Sequence, residues 1–184
     1  MYLMDMHEEE HHDEDEDHDE EEHEEGHDDH GGLILANYLQ EDAELDGYEL
    51  EIGRVFNLAS GDLEVSFSRD VVNGSLSSGM NIPRMSPARN IYSVGYSVND
   101  YLFDLSFKDV DSQTDTAEEE SATSGYQMLD AKLVRTFDLN GSSLRVSVFA
   151  NNLLDEVARN HASFVKNQVP LPGKNFGLRF NLSF

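Results

Sequence analysis

The chain has 184 residues, with 38 Asp and Glu against 12 Lys and Arg, a net charge of −26 and a pI near 4.3. That balance excludes a nucleic-acid partner, whose phosphates require Lys and Arg, and the absence of cysteine excludes disulfide and thiolate chemistry. No run approaches about 18 consecutive apolar residues, so no transmembrane helix is expected, and the amino terminus lacks the basic start and apolar core of a signal peptide.

Residues 2–6 are read as the end of a strand. Five residues cannot cross a hydrocarbon layer that needs about nine to eleven, so this first strand is expected to be cut off. Residues 7–30 are a run of His, Asp and Glu with a single Gly, containing His7, His11, His12, His18, His23, His27 and His30. Such density of like charge cannot bury a core. No Lys or Arg precedes Arg54.

From residue 33 the chain reads as strands, and no helix is predicted. Residues 33–58 are predicted as one long, bent strand whose second half alternates, with Tyr48, Leu50, Ile52 and Phe56 opposite Gly47, Glu49, Glu51 and Gly53. Leu63, Val65, Phe67 and Val71 form the next apolar face against Asp62, Glu64, Ser66, Ser68 and Asp70. Tyr92, Val94, Tyr96 and Val98 form another, then Tyr101, Phe103, Leu105 and Phe107. Leu129, Ala131, Leu133 and Phe137 follow, then Leu144, Val146, Val148 and Ala150. The last stretch, 174–184, puts Phe176, Leu178, Phe180, Leu182 and Phe184 on one face and Gly177, Arg179, Asn181 and Ser183 on the other.

The connections alternate. Short ones are predicted near 59–62, 98–101 and 138–142, and long ones at 7–32, 72–88, 111–125 and 151–173. Strict alternation puts every long loop at one end and every short turn at the other, as in outer-membrane barrels with long extracellular loops and short periplasmic turns. A soluble antiparallel sandwich explains the period-two pattern but not this asymmetry. The predicted fold is therefore all-β: an antiparallel transmembrane barrel segment of about eight strands belonging to a larger barrel in the bacterial outer membrane. Residues 1–32 supply the strand end and an extracellular loop, and 33–184 the barrel segment. Arg54, Arg69 and Arg135 conflict with this reading, because they fall in register with the apolar faces, where mid-membrane charge costs about 2–4 kcal/mol.

Imidazole suits Zn²⁺, Cu²⁺ and Ni²⁺, whereas carboxylates alone suit Ca²⁺ and Mg²⁺. Seven imidazoles among seventeen carboxylates in the first 30 residues point to the first group. His7/His11 and His23/His27 are four apart and His27/His30 three apart, so a helical turn would bring each pair together. No spacing fixes one cage, and several weak, exchanging sites are expected, with the metal as transient cargo and no permanent cofactor. The bland counterpart is a solvated acidic loop that repels anions or bridges lipopolysaccharide through Mg²⁺. His161, the eighth histidine, stands alone in the last long connection as a weaker candidate ligand. Glu49, Glu51, Asp62, Glu64 and Arg179 are expected to line a wet lumen. No nucleophile–base pair stands out, and no enzymatic activity is expected.

Three segments carry a family resemblance. Asp42-Ala-Glu-Leu-Asp-Gly-Tyr-Glu49 resembles the Asp-Ala-x-x-x-Gly-x-Glu element of TonB-dependent outer-membrane receptors. Ile82-Pro-Arg-Met-Ser-Pro-Ala-Arg89 resembles their Pro-Arg-x-Pro-Pro-Ala-Arg loop, with Ser86 in place of a proline. Asn151-Asn-Leu-Leu-Asp-Glu156, then Arg159-Asn-His-Ala-Ser-Phe164, then Pro172-Gly-Lys-Asn175 before a strand ending in Phe184 is similar to their carboxy-terminal signature, with Lys174 for the usual Arg. The Arg-Asn-His-x-Ser segment and the His/acid run look most like the zinc-uptake subgroup. The resemblance implies a 22-stranded barrel plugged by an amino-terminal domain that engages TonB, neither plug nor TonB segment lying in this chain. It further implies lipid and lipopolysaccharide around the barrel and assembly machinery that reads the strand ending in Phe184. A receptor for a ferric siderophore, haem or cobalamin is the alternative within this architecture. A soluble sandwich for metal buffering or adhesion is the alternative outside it.

Overall fold

The computed structural model describes residues 40–184. The expected strand end at 2–6, the His/acid run and the first part of the predicted 33–58 strand lie outside the described residues. The described chain forms seven strands: β1 (Ala43–Leu58), β2 (Gly61–Leu76), β3 (Arg89–Val98), β4 (Tyr101–Val110), β5 (Tyr126–Leu139), β6 (Ser142–Asn151) and β7 (Asn175–Ser183). They make one antiparallel sheet in the order β1-β2-β3-β4-β5-β6-β7, an up-and-down meander with no helix.

Turn chemistry sets the hairpins. β5 and β6 are joined by Asn140 and Gly141, at φ 48° and 100°, the left-handed pair that a two-residue turn between twisted strands requires. Asn99 takes the same conformation between β3 and β4, at φ 48°. Three details differ from the sequence reading. Residues 40–42 are not strand, so β1 opens at Ala43. The first turn is tighter than 59–62, because Gly61 and Asp62 already pair with Leu58 and Asn57. β2 runs on to Leu76, through positions assigned to a loop, because its backbone pairs with β1 as far as Ala43. Gly74 sits there because a Cβ would collide with Ile82 and Leu45.

Register joins the separate apolar faces into one. Phe56, Leu63, Tyr96, Phe103, Leu133, Val148 and Leu178 lie side by side across all seven strands. The neighbouring row of the opposite face reads Asn57, Asp62, Ser97, Leu102, Val134, Ser147 and Arg179. The apolar face is the exposed one: Leu50, Ile52, Val94, Leu105, Leu178 and Phe180 all stand open. The few buried apolar side chains on the sheet, Val110, Met128 and Val134, belong to the polar face. This inverts the soluble pattern, in which a continuous apolar face of this extent is covered. A sandwich would place a second sheet over that face, and the described strands form one sheet. Both sheet edges, β1 and β7, have no strand partner among the described residues.

The arginines on the apolar face are accommodated by aromatic rings. The Arg54 guanidinium lies 4.9 Å from the Phe56 ring, and that of Arg135 lies 4.9 Å from Tyr101 and 4.4 Å from Phe137. Arg69 instead donates to the Tyr48 hydroxyl at 2.9 Å and to Asn90 Oδ1 at 2.8 Å. Arg54 and Arg135 each stand four residues from the short-turn ends of β1 and β5.

Candidate functional site

The meander gathers the three long connections, 77–88, 111–125 and 152–174, at one end of the sheet. Their backbones are stitched together. Asn81 Nδ2 donates to the Thr116 carbonyl at 3.0 Å, Gln113 Nε2 to that of Met85 at 3.2 Å, and Gln113 pairs with Thr123 through both backbone groups. Ser121 and Asn167 exchange side-chain hydrogen bonds between the second and third loops.

Glu120 is the knot. Its carboxylate accepts Lys166 Nζ at 2.8 Å and His161 Nε2 at 3.1 Å from the third loop. It accepts the backbone N–H of Arg84 at 3.1 and 3.2 Å from the first, and that of Ala117 at 3.2 Å from its own. Arg84 holds φ 60°, which turns its N–H toward the carboxylate, and its guanidinium lies over the Phe164 ring. Burial alone would raise the Glu120 carboxyl. The Lys166 ammonium and the two backbone donors outweigh it and hold the pKa at about 2.

His161 is fully enclosed, at 1% exposure. Thr123 Oγ1 stands 2.9 Å from Nδ1 and Glu120 from Nε2, and Lys166 Nζ lies 3.4 and 3.3 Å from the two ring nitrogens. Desolvation and the adjacent ammonium push its pKa down, against the pull of Glu120. A neutral ring with Nε2–H donating to Glu120 and Nδ1 accepting from Thr123 satisfies those two partners and leaves Nδ1 as the one ring atom to which Lys166 can also donate. The ring is therefore fully engaged in protein contacts, with a fixed cation against it. Among the described residues no three His, Asp or Glu side chains converge as a metal site. The seven other candidate ligands, His7 to His30, lie outside the described residues.

The Asn151–Glu156 motif proves to be a turn-builder. Asn152 is buried, at 1% exposure and φ 50°. Its Nδ2 donates to the carbonyls of Glu156 and Pro172 at 2.8 and 3.2 Å, and its Oδ1 accepts the Glu156 N–H at 2.9 Å. Its backbone N–H donates to Asp130 Oδ1 on β5 at 2.8 Å. Asp155, at φ 57°, accepts the Lys174 N–H at 2.9 Å and so aims the chain into β7. Arg89, the last residue of the Pro-Arg segment, opens β3 and pairs with Asp70 on β2 at 2.7 Å.

The polar face carries the charges expected there. Glu49, Glu51, Glu64, Asp62 and Arg179 occupy its registers. Near its middle a cavity of about 410 Å³ lies among Asp104, Asp130, Lys132, Ser147 and Arg179, with Lys132 3.8 Å from Asp104. Sequence reasoning missed Glu120, Lys166 and Thr123 as partners of His161.

No protein-family model and no curated protein matches the sequence significantly. Among solved structures, the chain is similar to one titled copper transporter OprC, with a TM-score of 0.69 at 19% identity over 78% of this chain. At that identity the likeness is one of fold: a seven-strand antiparallel segment of a β-barrel. The chain spans 24% of the length of that transporter.

Proposed function

We propose that this chain is the carboxy-terminal barrel portion of a TonB-dependent outer-membrane receptor, and that its His/acid run captures divalent zinc or a neighbouring transition metal at the outer mouth. The observation that carries the membrane reading is the unbroken apolar row from Phe56 to Leu178 across seven strands, exposed at Phe56, Phe103, Val148 and Leu178 and half-buried at Leu63, Tyr96 and Leu133, while charged residues gather on the opposite face. The gathering of the three described long loops at one end supports the same orientation. The edges of β1 and β7, without a further strand partner among the described residues, fit a sheet that continues into further strands, and the alternation along β7 fits a lipid-facing strand of the kind that assembly machinery inserts. Lipid and lipopolysaccharide then cover the apolar face, and TonB acts through the plug of the whole receptor.

The metal reading rests on composition: seven histidines among seventeen carboxylates in the first 30 residues. The similar fold of a copper transporter is compatible with it. A strong negative field concentrates cations at the mouth, and weak imidazole sites release them inward. Zn²⁺, Cu²⁺ and Ni²⁺ fit this donor set better than Ca²⁺ or Mg²⁺.

Equilibrium dialysis of the protein against Zn²⁺, with and without residues 7–30, tests the reading. Micromolar Zn²⁺ binding that survives millimolar Ca²⁺ and Mg²⁺, is lost with the run, and is released near pH 5 as the imidazoles protonate is the expected result. Binding that Ca²⁺ abolishes makes the run an electrostatic loop and turns the cargo toward an organic metal chelate.

A further inference from the structure

Beneath the loop cluster, on the polar face, lies a second cavity whose charge runs against that of the chain. It holds about 260 Å³ between β2, β3, β4, β5 and the last long connection. Arg89, Lys108 and Arg159 line it together with Asp70, Tyr126 and Asn160, and the His161 ring forms part of its wall. Register explains the convergence. Asp70, Arg89, Val110 and Tyr126 form one cross-strand row on this face, and Lys108 stands two residues along β4 from Val110. Arg159 arrives from the third loop, fixed by donating Nη1 to the Lys166 carbonyl.

The cations outnumber the carboxylates in a chain whose net charge is −26. Asp70 is matched by Arg89 at 2.7 Å. Neither Lys108 nor Arg159 has a carboxylate partner among the described residues. Lys108 Nζ lies 6.0 Å from the centre of the Tyr126 ring and projects toward the cavity. The His161 ring is held neutral by burial and by Lys166, so it adds no compensating or competing charge. Two cations with no carboxylate partner among the described residues, a third shared with Asp70, and the neutral donors of Tyr126 and Asn160 line one half-open volume. Such a site repels a bare divalent metal and attracts the opposite charge.

From these contacts we infer that this cavity binds a small oxyanion carrying two or more negative charges, a polycarboxylate or a phosphate. Lys108 and Arg159 supply the charge that is free to bind, and Arg89 supplies a third, weaker contact. The site is independent of the metal reading of the His/acid run, and its test reads binding alone.

Isothermal titration of the full-length, detergent-extracted protein with citrate and with inorganic phosphate is the direct test, with acetate as the singly charged control. Citrate or phosphate should bind while acetate does not, and binding should weaken as salt is added. Lys108→Met and Arg159→Met should each weaken it about tenfold, the loss of one charge-assisted contact. Lys108→Arg should restore it, which separates lost charge from misfolding. Arg145→Met, on the same face near the short-turn end, should leave it unchanged. Equal affinity in the Lys108→Met and wild-type proteins overturns the inference. So does a wild-type protein that binds neither anion but loses protease resistance on Lys108→Met, because the cations then hold a carboxylate of the protein's own chain.

Discussion

The Phe149 ring on β6 lies against Gly177 on β7, filling the space in which a side chain at 177 would begin. A Cβ built on Gly177 overlaps three carbons of that ring. The two residues face each other in register on the polar face, and the Arg179 guanidinium lies 6.0 Å from the ring centre. The ring thus clamps the terminal strand to its neighbour at the position where β7 must dock.

Gly177→Ala should therefore expel the ring and loosen β7. Overpacking of this kind costs about 1–3 kcal/mol. The expected outcome is a lower urea midpoint for unfolding from detergent, relieved by adding Phe149→Leu in the same chain. An unchanged midpoint would mean that the ring moves aside at no cost.

Asn152 makes the sharpest single-residue prediction in the loops. Its amide answers three backbone groups in a buried turn. Asn152→Ala strands those groups, at about 1–3 kcal/mol for each one left unsatisfied. Asn152→Asp should be worse, since a carboxylate then faces the carbonyls of Glu156 and Pro172. Folded protein recovered in the membrane fraction should fall in the order wild type, Ala, Asp.

The strands were largely legible in the sequence because period-two alternation is a local signal. Tyr92, Val94 and Tyr96 declare their face without reference to any other strand. The outer end of β2 was not legible, because Asn73, Gly74 and Ser75 look like loop, and only pairing with Ala43–Asp46 makes them strand. The loop site was still less legible. His161 was noticed as a lone histidine, but its partner Glu120 lies among three consecutive glutamates and far away in sequence. Which glutamate turns inward is decided by the Arg84 and Ala117 N–H groups, which only the folded loops bring together. One local clue was present: Lys166 is the only Lys or Arg between 160 and 173, in a loop that must meet an acidic one.

That cluster predicts two steps in acid. The folded pKa of His161 is lowered, so its contribution to loop stability is complete above the unfolded value near 6.5 and is lost as pH falls below it. The folded pKa of Glu120 is lowered to about 2, so its contribution is complete above the unfolded value near 4.5 and is lost as pH falls toward 2. Hydrogen exchange of residues 117–123 and 160–167 should accelerate first as pH falls below the unfolded histidine value near 6.5, after correction for intrinsic rates. His161→Gln should abolish this first step alone. Lys166→Met should accelerate exchange at all pH values, because it leaves Glu120 buried without its cation.

The two faces of β3 offer the most direct check on where the lipid lies. Val94 stands on the exposed apolar face, in one row with Arg54, Val65, Leu105 and Ala131, and Ser93 stands beside it on the polar face. If the apolar face meets hydrocarbon, Val94→Arg adds a second charge to the row that already holds Arg54, which lies 4.9 Å from the Phe56 ring, and it costs up to about 2–4 kcal/mol, the full amount applying at the bilayer midplane. Ser93→Arg enters a wet face already populated by charges and should cost little. Refolding into lipid vesicles separates the two, with Val94→Arg poorly inserted and Ser93→Arg close to wild type. The same pair in a water-exposed sheet would be nearly neutral at both positions, since an exposed valine replaced by arginine loses little there. Equal and small effects would thus reject the membrane face, and equal and large effects would show that the polar face is also packed.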